Sequence, residues 1–226
     1  MKLDPAIVIK DNQIYTAKNI PVSLRVFTFN DTLAMRKKLN SEDKGMSAFF
    51  EHIKNQGYNM LRWLVYWDIV EPVEDSFNEE YLAVLRDNIQ KAKTAGLLVY
   101  LVPNAYSDSK NFWGINSYPV DKVIDGENAG QYLVGCFIDA MKHLARRIKD
   151  CESVIGFALS HFYYEIMKTE VSVKETCVFA NNFMKALYKK HTHYYYIVEE
   201  NEELKKILCE DEGAQKYKII SNALFL

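Results

Sequence analysis

The sequence lacks most of the signals that mark specialised chains. Lysine plus arginine number 28 against 30 aspartate plus glutamate, a net charge of −2. With no basic stripe or Lys/Arg cluster, nothing points to a nucleic-acid or anionic-membrane partner. No apolar run approaches the roughly 18 residues of a membrane helix. The N-terminal MKLDPAIVIKDNQ has no apolar h-region, so the chain as written reads as cytoplasmic. Only four cysteines occur, Cys136, Cys151, Cys177 and Cys209, widely spaced and without a CxxC. They are expected as reduced, partly buried thiols in a compartment that does not form disulfides. No HExxH, cysteine cluster or Asp-rich loop is present, so no metal is implied. No GxGxxG or GxxxxGK[ST] follows a strand, which weakens a nucleotide-binding open sheet and leaves no cofactor to expect. Nor is there a GxSxG elbow for Ser-His-Asp chemistry.

What is present is apolar and aromatic. At 226 residues with 49% apolar content, the chain can bury a full core as one domain over 1–226. The organising stretch runs from Gly57 to Pro103. Tyr58–Tyr66 is nearly all apolar and aromatic, as expected of a parallel strand covered on both faces. Ser76 with Glu79 offers a capping box, after which Tyr81, Leu82, Leu85, Ile89 and Ala92 fall at helical spacing. Gly96 closes that helix as a C′ glycine, and Leu97–Val102 is a second buried strand. The rest of the chain repeats this βαβ unit.

Ala6–Ile9 and Gln13–Thr16 flank Asp11-Asn12 as a hairpin. Strands are expected near 22–29, 58–66, 97–102, 153–159, 194–198 and 218–224. Helices are expected over Ser47–Gln56, Ala129–Lys149, Ser172–Tyr188 (with Ser172 and Glu175 as a capping box) and Glu202–Leu208. Between Pro103 and Ala129 lies a long irregular stretch carrying Phe112, Trp113 and Tyr118; a loop of that length is usually functional or disordered. Repeated βα units with right-handed crossovers allow an open doubly wound sheet or a barrel.

Three segments carry a family likeness. AIVIKDNQIYTAKNIPVSLRVFTFN resembles the N-terminal hairpin and first strand of family 5 glycoside hydrolases, which include cellulases, exo-glucanases and endoglycoceramidases. FFEHIKNQGYNMLRWLVYWDIVEP is similar to that family's first helix and second strand, and YLVGCFIDAMKHLARRIKDCESVIGFAL to its third helix and fourth strand. The resemblance implies an α/β fold of (β/α) TIM-barrel type, here incomplete at about six βα units. It also implies retaining hydrolysis of β-glycosides: one Glu after strand four as proton donor, a second after strand seven as nucleophile, the two carboxylates ~5 Å apart. An Arg on strand two supports the nucleophile's charge, and aromatic and His residues at the strand ends shape the sugar subsite.

The sequence departs from that pattern at the catalytic positions. Aligning VIGFAL with strand four puts His161 and Phe162 where Asn and Glu are required; a shift of one puts Ser160 and His161 there. The His expected after strand three is Asn104. Six strands account for the chain as written, so strand seven with its nucleophile and strand eight are expected to be missing.

Each candidate residue has a functional and a structural reading. Arg62, inside an apolar strand, is either the inherited sugar-site Arg or half of an internal ion pair holding strand ends together. The nearest substitutes for the absent acid are His161, whose imidazole titrates near neutrality, and Glu165, which would need three extra residues to fold back; a solvated loop carboxylate is the simpler reading. Trp67, Tyr106 and Trp113 are candidate sugar-stacking platforms, with ordinary packing as the alternative. His191 and His193 precede strand five, at the barrel end that serves stability.

The residues that would bind substrate are therefore Arg62, Trp67, Asn104, Tyr106, Trp113 and His161, with a β-linked glycan as ligand. Three functions are open: a family 5-like protein without catalysis, kept for carbohydrate binding or interaction; the N-terminal part of a working retaining β-glycosidase; or a homo-oligomer that covers its open barrel edges.

Overall fold

A computed structural model describes residues 7–10, 13–16, 18–32, 45–107, 112–116, 123–124, 127–159, 172–189, 191–199 and 201–225. Strands β1 (Ile7–Lys10) and β2 (Gln13–Thr16) form the expected antiparallel hairpin. Six parallel strands follow: β3 (Val26–Asn30), β4 (Met60–Tyr66), β5 (Leu98–Asn104), β8 (Val154–Ala158), β9 (Tyr195–Val198) and β10 (Lys218–Ser221). They lie in the order β10-β9-β8-β5-β4-β3, so each new strand is added beside the one before. The helices between them are α1 (Gly45–Asn55), α2 (Trp67–Val70), α3 (Glu79–Thr94), α4 (Trp113–Asn116), α5 (Ala129–Arg147), α6 (Val173–Tyr188) and α7 (Glu202–Glu210). A small two-stranded ladder, β6 (Val123–Ile124) with β7 (Glu127–Asn128), precedes α5.

The two faces of the sheet are unlike, and this settles the architecture. On one face Trp63, Leu101, Phe157 and Tyr196 pack against Phe50, Leu85, Ile89, Phe137 and Phe183 of the helices. On the other, Met60, Tyr100, Val102, Ile155, Ile197 and Ile220 cluster with Ile7 and Ile14 of the hairpin, and no residue of the described α-helices belongs to that cluster. Helices on one side and an enclosed second side make a barrel-type sheet, not a doubly wound one. The hairpin seals the N-terminal end of the concave side, where the Ile9 amide donates to the Tyr195 hydroxyl at 3.2 Å.

Glycine permits the close strand packing. A Cβ on Gly156 would sit 1.8 Å from the Tyr195 carbonyl oxygen, so no other residue fits there while β8 and β9 keep their spacing. Gly96 has φ +77° and ends α3 as expected. The Ser172–Glu175 capping box of α6 forms in full.

Several boundaries are corrected. The first strand begins at Val26, not near residue 22. Over the preceding residues the Asn59 side chain stands in for a neighbouring strand, accepting from the Arg25 amide at 2.8 Å and donating to the Ser23 carbonyl at 2.8 Å. Helix α3 is capped by Asn78, whose side chain accepts from the Tyr81 amide at 3.0 Å, and not by Ser76. The last strand stops at Ser221, where the hydroxyl accepts from the Ala223 amide and turns the chain into a 3₁₀ turn over Asn222–Leu224. The stretch after Pro103 is not wholly irregular, since α4 and the β6–β7 ladder lie in it. Of the four free cysteines, Cys151 and Cys177 are buried and Cys136 is half-buried, but Cys209 is exposed. Burial pushes the Cys136 and Cys151 thiols up to about 11, which leaves them protonated at neutral pH.

Candidate functional site

Sheet register brings the site together. Arg62 on β4 is paired with Tyr100 on β5, and Tyr100 is followed across the sheet by Gly156 and then Tyr195. Because side chains alternate, Arg62, Tyr100 and Tyr195 share the concave face. Four residues beyond Tyr195, just past the end of β9, Glu199 points to the same side. The Arg62 Nε donates to Glu199 Oε1 at 2.7 Å and an Nη to Oε2 at 2.6 Å, a two-pronged contact. The Tyr100 hydroxyl also donates to Oε1, at 2.9 Å.

The glutamate side chain is 2% exposed and the arginine 23%, so the carboxylate lies inside and the arginine is only partly covered. Burial first, and the Glu199 charge second, push the Tyr100 phenol far above its ordinary range, so it stays a donor. The ion-pair partner that a buried Arg62 requires is therefore Glu199. It ties the second strand of the sheet to the fifth.

Glu199 and Tyr100 were not among the sequence candidates, yet both had a signal. Glu199 is a carboxylate directly after an apolar YYYIV strand, the position from which barrel sites are built. Tyr100 sits at the centre of LVYLVP, one strand over from Arg62.

The remaining candidates are dispersed. Asn104 ends β5, half-buried, with its side-chain amide donating to the Val102 carbonyl at 2.8 Å. Tyr106 follows on the rim with 38% of its surface exposed. Trp67 is corrected: it is 1% exposed, its ring packs edge-on against Phe112, Trp113 and Phe137, and its indole N–H donates to Glu71 at 2.6 Å. No face of that ring is open to a sugar. Trp113 is half-buried and donates to the Glu71 carbonyl at 2.8 Å, so packing against Trp67 fixes its orientation. His161 and Glu165, with Ser160 and Phe162, lie outside the described residues. His191 and His193 sit at the N-terminal side of β9 as expected, stacked on and beside Tyr194.

At the C-terminal end of β4 stand two more carboxyls, Asp68 within α2 and Glu71 at that helix's C-terminal end. Asp68 Oδ2 accepts from the Ser107 amide at 3.0 Å and its hydroxyl at 2.9 Å. Glu71 accepts from Trp67 and from the Asp75 amide. Burial raises both above the ordinary carboxyl range. Asp31 is wholly buried on the helix side, where it accepts from the Trp63 indole at 2.9 Å. Among the described residues no group of three His, Cys, Asp or Glu side chains could hold a metal ion. No helix among them is long and apolar enough to cross a membrane.

No protein-family model matches the chain, and no curated protein does. Solved structures do. An endogalactoceramidase is similar at a TM-score of 0.60 and 16% identity, over 86% of this chain and 53% of that one. Endo-glycoceramidase II from Rhodococcus sp. is similar at 0.58 and 14%, over 88% and 51%. A GH5_18 protein from Bifidobacterium longum subsp. longum is similar at 0.55 and 14%, over 80% and 45%. The chain thus spans about half the length of the structures it matches. With the one-sided helical layer and the parallel order, the likeness establishes that this chain has the fold of the family 5 barrel glycosidases, present here as six parallel strands behind an N-terminal hairpin.

Proposed function

We propose that this chain is a family 5-like protein without glycosidase turnover, which holds a β-linked glycan at the C-terminal ends of its strands. The observation that carries the proposal is that Arg62 braces one carboxylate while the sequence after the fourth strand supplies no second one. In the reaction the resemblance implies, a strand-two arginine braces the nucleophile while a second carboxyl protonates the leaving oxygen, the two ~5 Å apart. Here one edge of the Arg62 guanidinium forks onto both oxygens of Glu199, which also accepts from Tyr100. Glu199 is thus braced as a nucleophile would be, but the sequence after the fourth strand, Ser160-His161-Phe162, supplies no Glu to protonate the leaving oxygen.

Binding needs no such carboxylate. Tyr106 and the Asn104 rim above β5 offer an aromatic face and an amide, the usual pairing for a sugar. A GH5_18 variant from B. longum has been solved in complex with Manb1-4GlcNAc, which makes that disaccharide the first ligand to try. Calorimetric titration with it and with short β-1,4-glucans is expected to give weak binding, with Kd on the order of 1 mM. Tyr106→Ala is expected to abolish it. No heat with either ligand, or heat unchanged by Tyr106→Ala, contradicts the proposal.

A second reading, the N-terminal part of a retaining β-glycosidase, is favoured by one observation, the match to only about half the length of the similar structures. The coding sequence downstream of Leu226 separates the two. A strand-like segment there that ends in Glu favours the longer enzyme.

A further inference from the structure

Tyr106, the exposed ring at the rim, stands between two residues that are both tied to Asp68. The Asp68 amide donates to the Ala105 carbonyl at 3.3 Å. Its side-chain Oδ2 accepts from the Ser107 amide at 3.0 Å and from the Ser107 hydroxyl at 2.9 Å. One residue of α2 thus grips the chain immediately before and immediately after Tyr106. The grip starts from a fixed place, because Trp67, Ile69 and Val70 around Asp68 are all buried. Tyr106 itself keeps 38% of its surface exposed, so the backbone on either side, more than packing, sets the direction of its ring.

Asp68 is a costly residue for that place if stability is its only use. Only 9% of it is exposed, and its Oδ1 is buried with no hydrogen-bond partner. A buried carboxyl oxygen that accepts from nothing has given up its water and gained no bond in return. An apolar residue of similar size would avoid that loss, but it could not hold Ser107.

We propose that Asp68 is a positioning residue for the glycan site: it holds the 105–107 segment so that the Tyr106 ring meets a sugar in one fixed orientation. This rests on the reading that Tyr106 binds a β-linked glycan. A ring fixed before the ligand arrives loses little freedom on binding, and a ring on a loose segment loses more. The role needs an acceptor at Oδ2 and not a charge, so asparagine can fill it and alanine cannot. The bond from Asp68 to Ala105 is main chain to main chain and survives either substitution, so what the variants change is the hold on Ser107.

The test has two arms, one of them without ligand. Amide hydrogen exchange, followed by NMR in the intact chain, reads the segment. The Ser107 amide is expected to be protected in the parent chain and in Asp68→Asn, and to exchange at least about tenfold faster in Asp68→Ala. The amide of buried Leu101 in β5 is expected to be unchanged throughout. In the second arm the disaccharide Manb1-4GlcNAc is titrated and its Kd read from chemical shifts. Asp68→Ala is expected to weaken it about tenfold, and Asp68→Asn less than about threefold. Alike exchange at Ser107 in the parent and Asp68→Ala would overturn the proposal. So would faster exchange that spreads to Leu101, the mark of a general loss of stability, or a parent-like Kd in Asp68→Ala. If the parent binds no disaccharide while Ser107 responds as expected, the glycan reading fails and the hold of Asp68 on the Tyr106 segment stands.

Discussion

The two sides of the sheet obey different rules. The helix side is a continuous apolar layer in which Trp63, Phe50, Leu85, Phe137, Phe157 and Phe183 interlock, and in which the buried acids Asp31 and Glu71 are answered by the Trp63 and Trp67 indoles. The concave side holds a few aliphatic residues near the hairpin and then, toward the strand ends, Arg62, Tyr100 and Glu199 joined into one cluster. The first side is determined by packing, which tolerates many sequences that keep volume and pattern. The second is held by three particular groups that must all be present. Fold and site thus rest on different terms in one molecule: packing holds the described strands in the barrel arrangement, while the concave cluster depends on Arg62, Tyr100 and Glu199 individually.

Breaking the helix side should cost most. Phe183→Ala removes a fully buried ring that touches Phe137, Phe157 and Phe179, and about 3–5 kcal/mol of stability is expected to go with it, read from the urea midpoint. Breaking the concave side should cost less and behave differently. Glu199→Ala deprives the Arg62 guanidinium of its carboxylate, at about 2–3 kcal/mol, below the figure for a fully buried pair because the arginine keeps 23% exposure. The double variant Arg62→Met with Glu199→Leu is expected to be more stable than either single variant, since it leaves no charge behind. A double variant that loses the sum of the two single losses would show that the groups act independently.

Much of the helix side was legible in the sequence, because it depends on periodicity. The apolar stripe from Tyr81 to Ala92, the capping box at Ser172 and the stop at Gly96 are local signals, and each element formed where those residues put it. The misplacements arose where a distant side chain replaced a local rule: Asn59 substitutes for a strand beside Ser23 and Arg25, and Asn78 displaces Ser76 as the cap of its helix. The site was only half legible. Arg62 announced itself as a charge in an apolar strand, but its partner lies 137 residues away, a pairing that only the curl of the sheet creates. Trp67 misled because an aromatic at a strand end reads the same whether it faces a ligand or, as here, Phe112 and Phe137.

The smallest effect sharpens the contrast at the rim. Asp68 and Glu71 have carboxyls raised by burial, so each binds its proton more tightly in the folded chain than in the unfolded one. Their contribution is fully present below the ordinary carboxyl pKa and is lost as pH rises through the raised values. Stability is thus expected to increase as pH is lowered from neutrality toward the ordinary carboxyl range, and the slope to flatten in Asp68→Asn. A urea midpoint that is flat across that range in the parent chain would contradict this.

The central proposal is that the chain turns over no β-glycoside although Arg62 and Tyr100 brace Glu199. The most direct measurement is turnover of an aryl β-glucoside by the purified 226-residue chain, run beside its Glu199→Gln variant. The account predicts no multiple turnover by either protein. Multiple turnovers by the parent chain that vanish in Glu199→Gln would contradict it and make Glu199 a catalytic carboxylate.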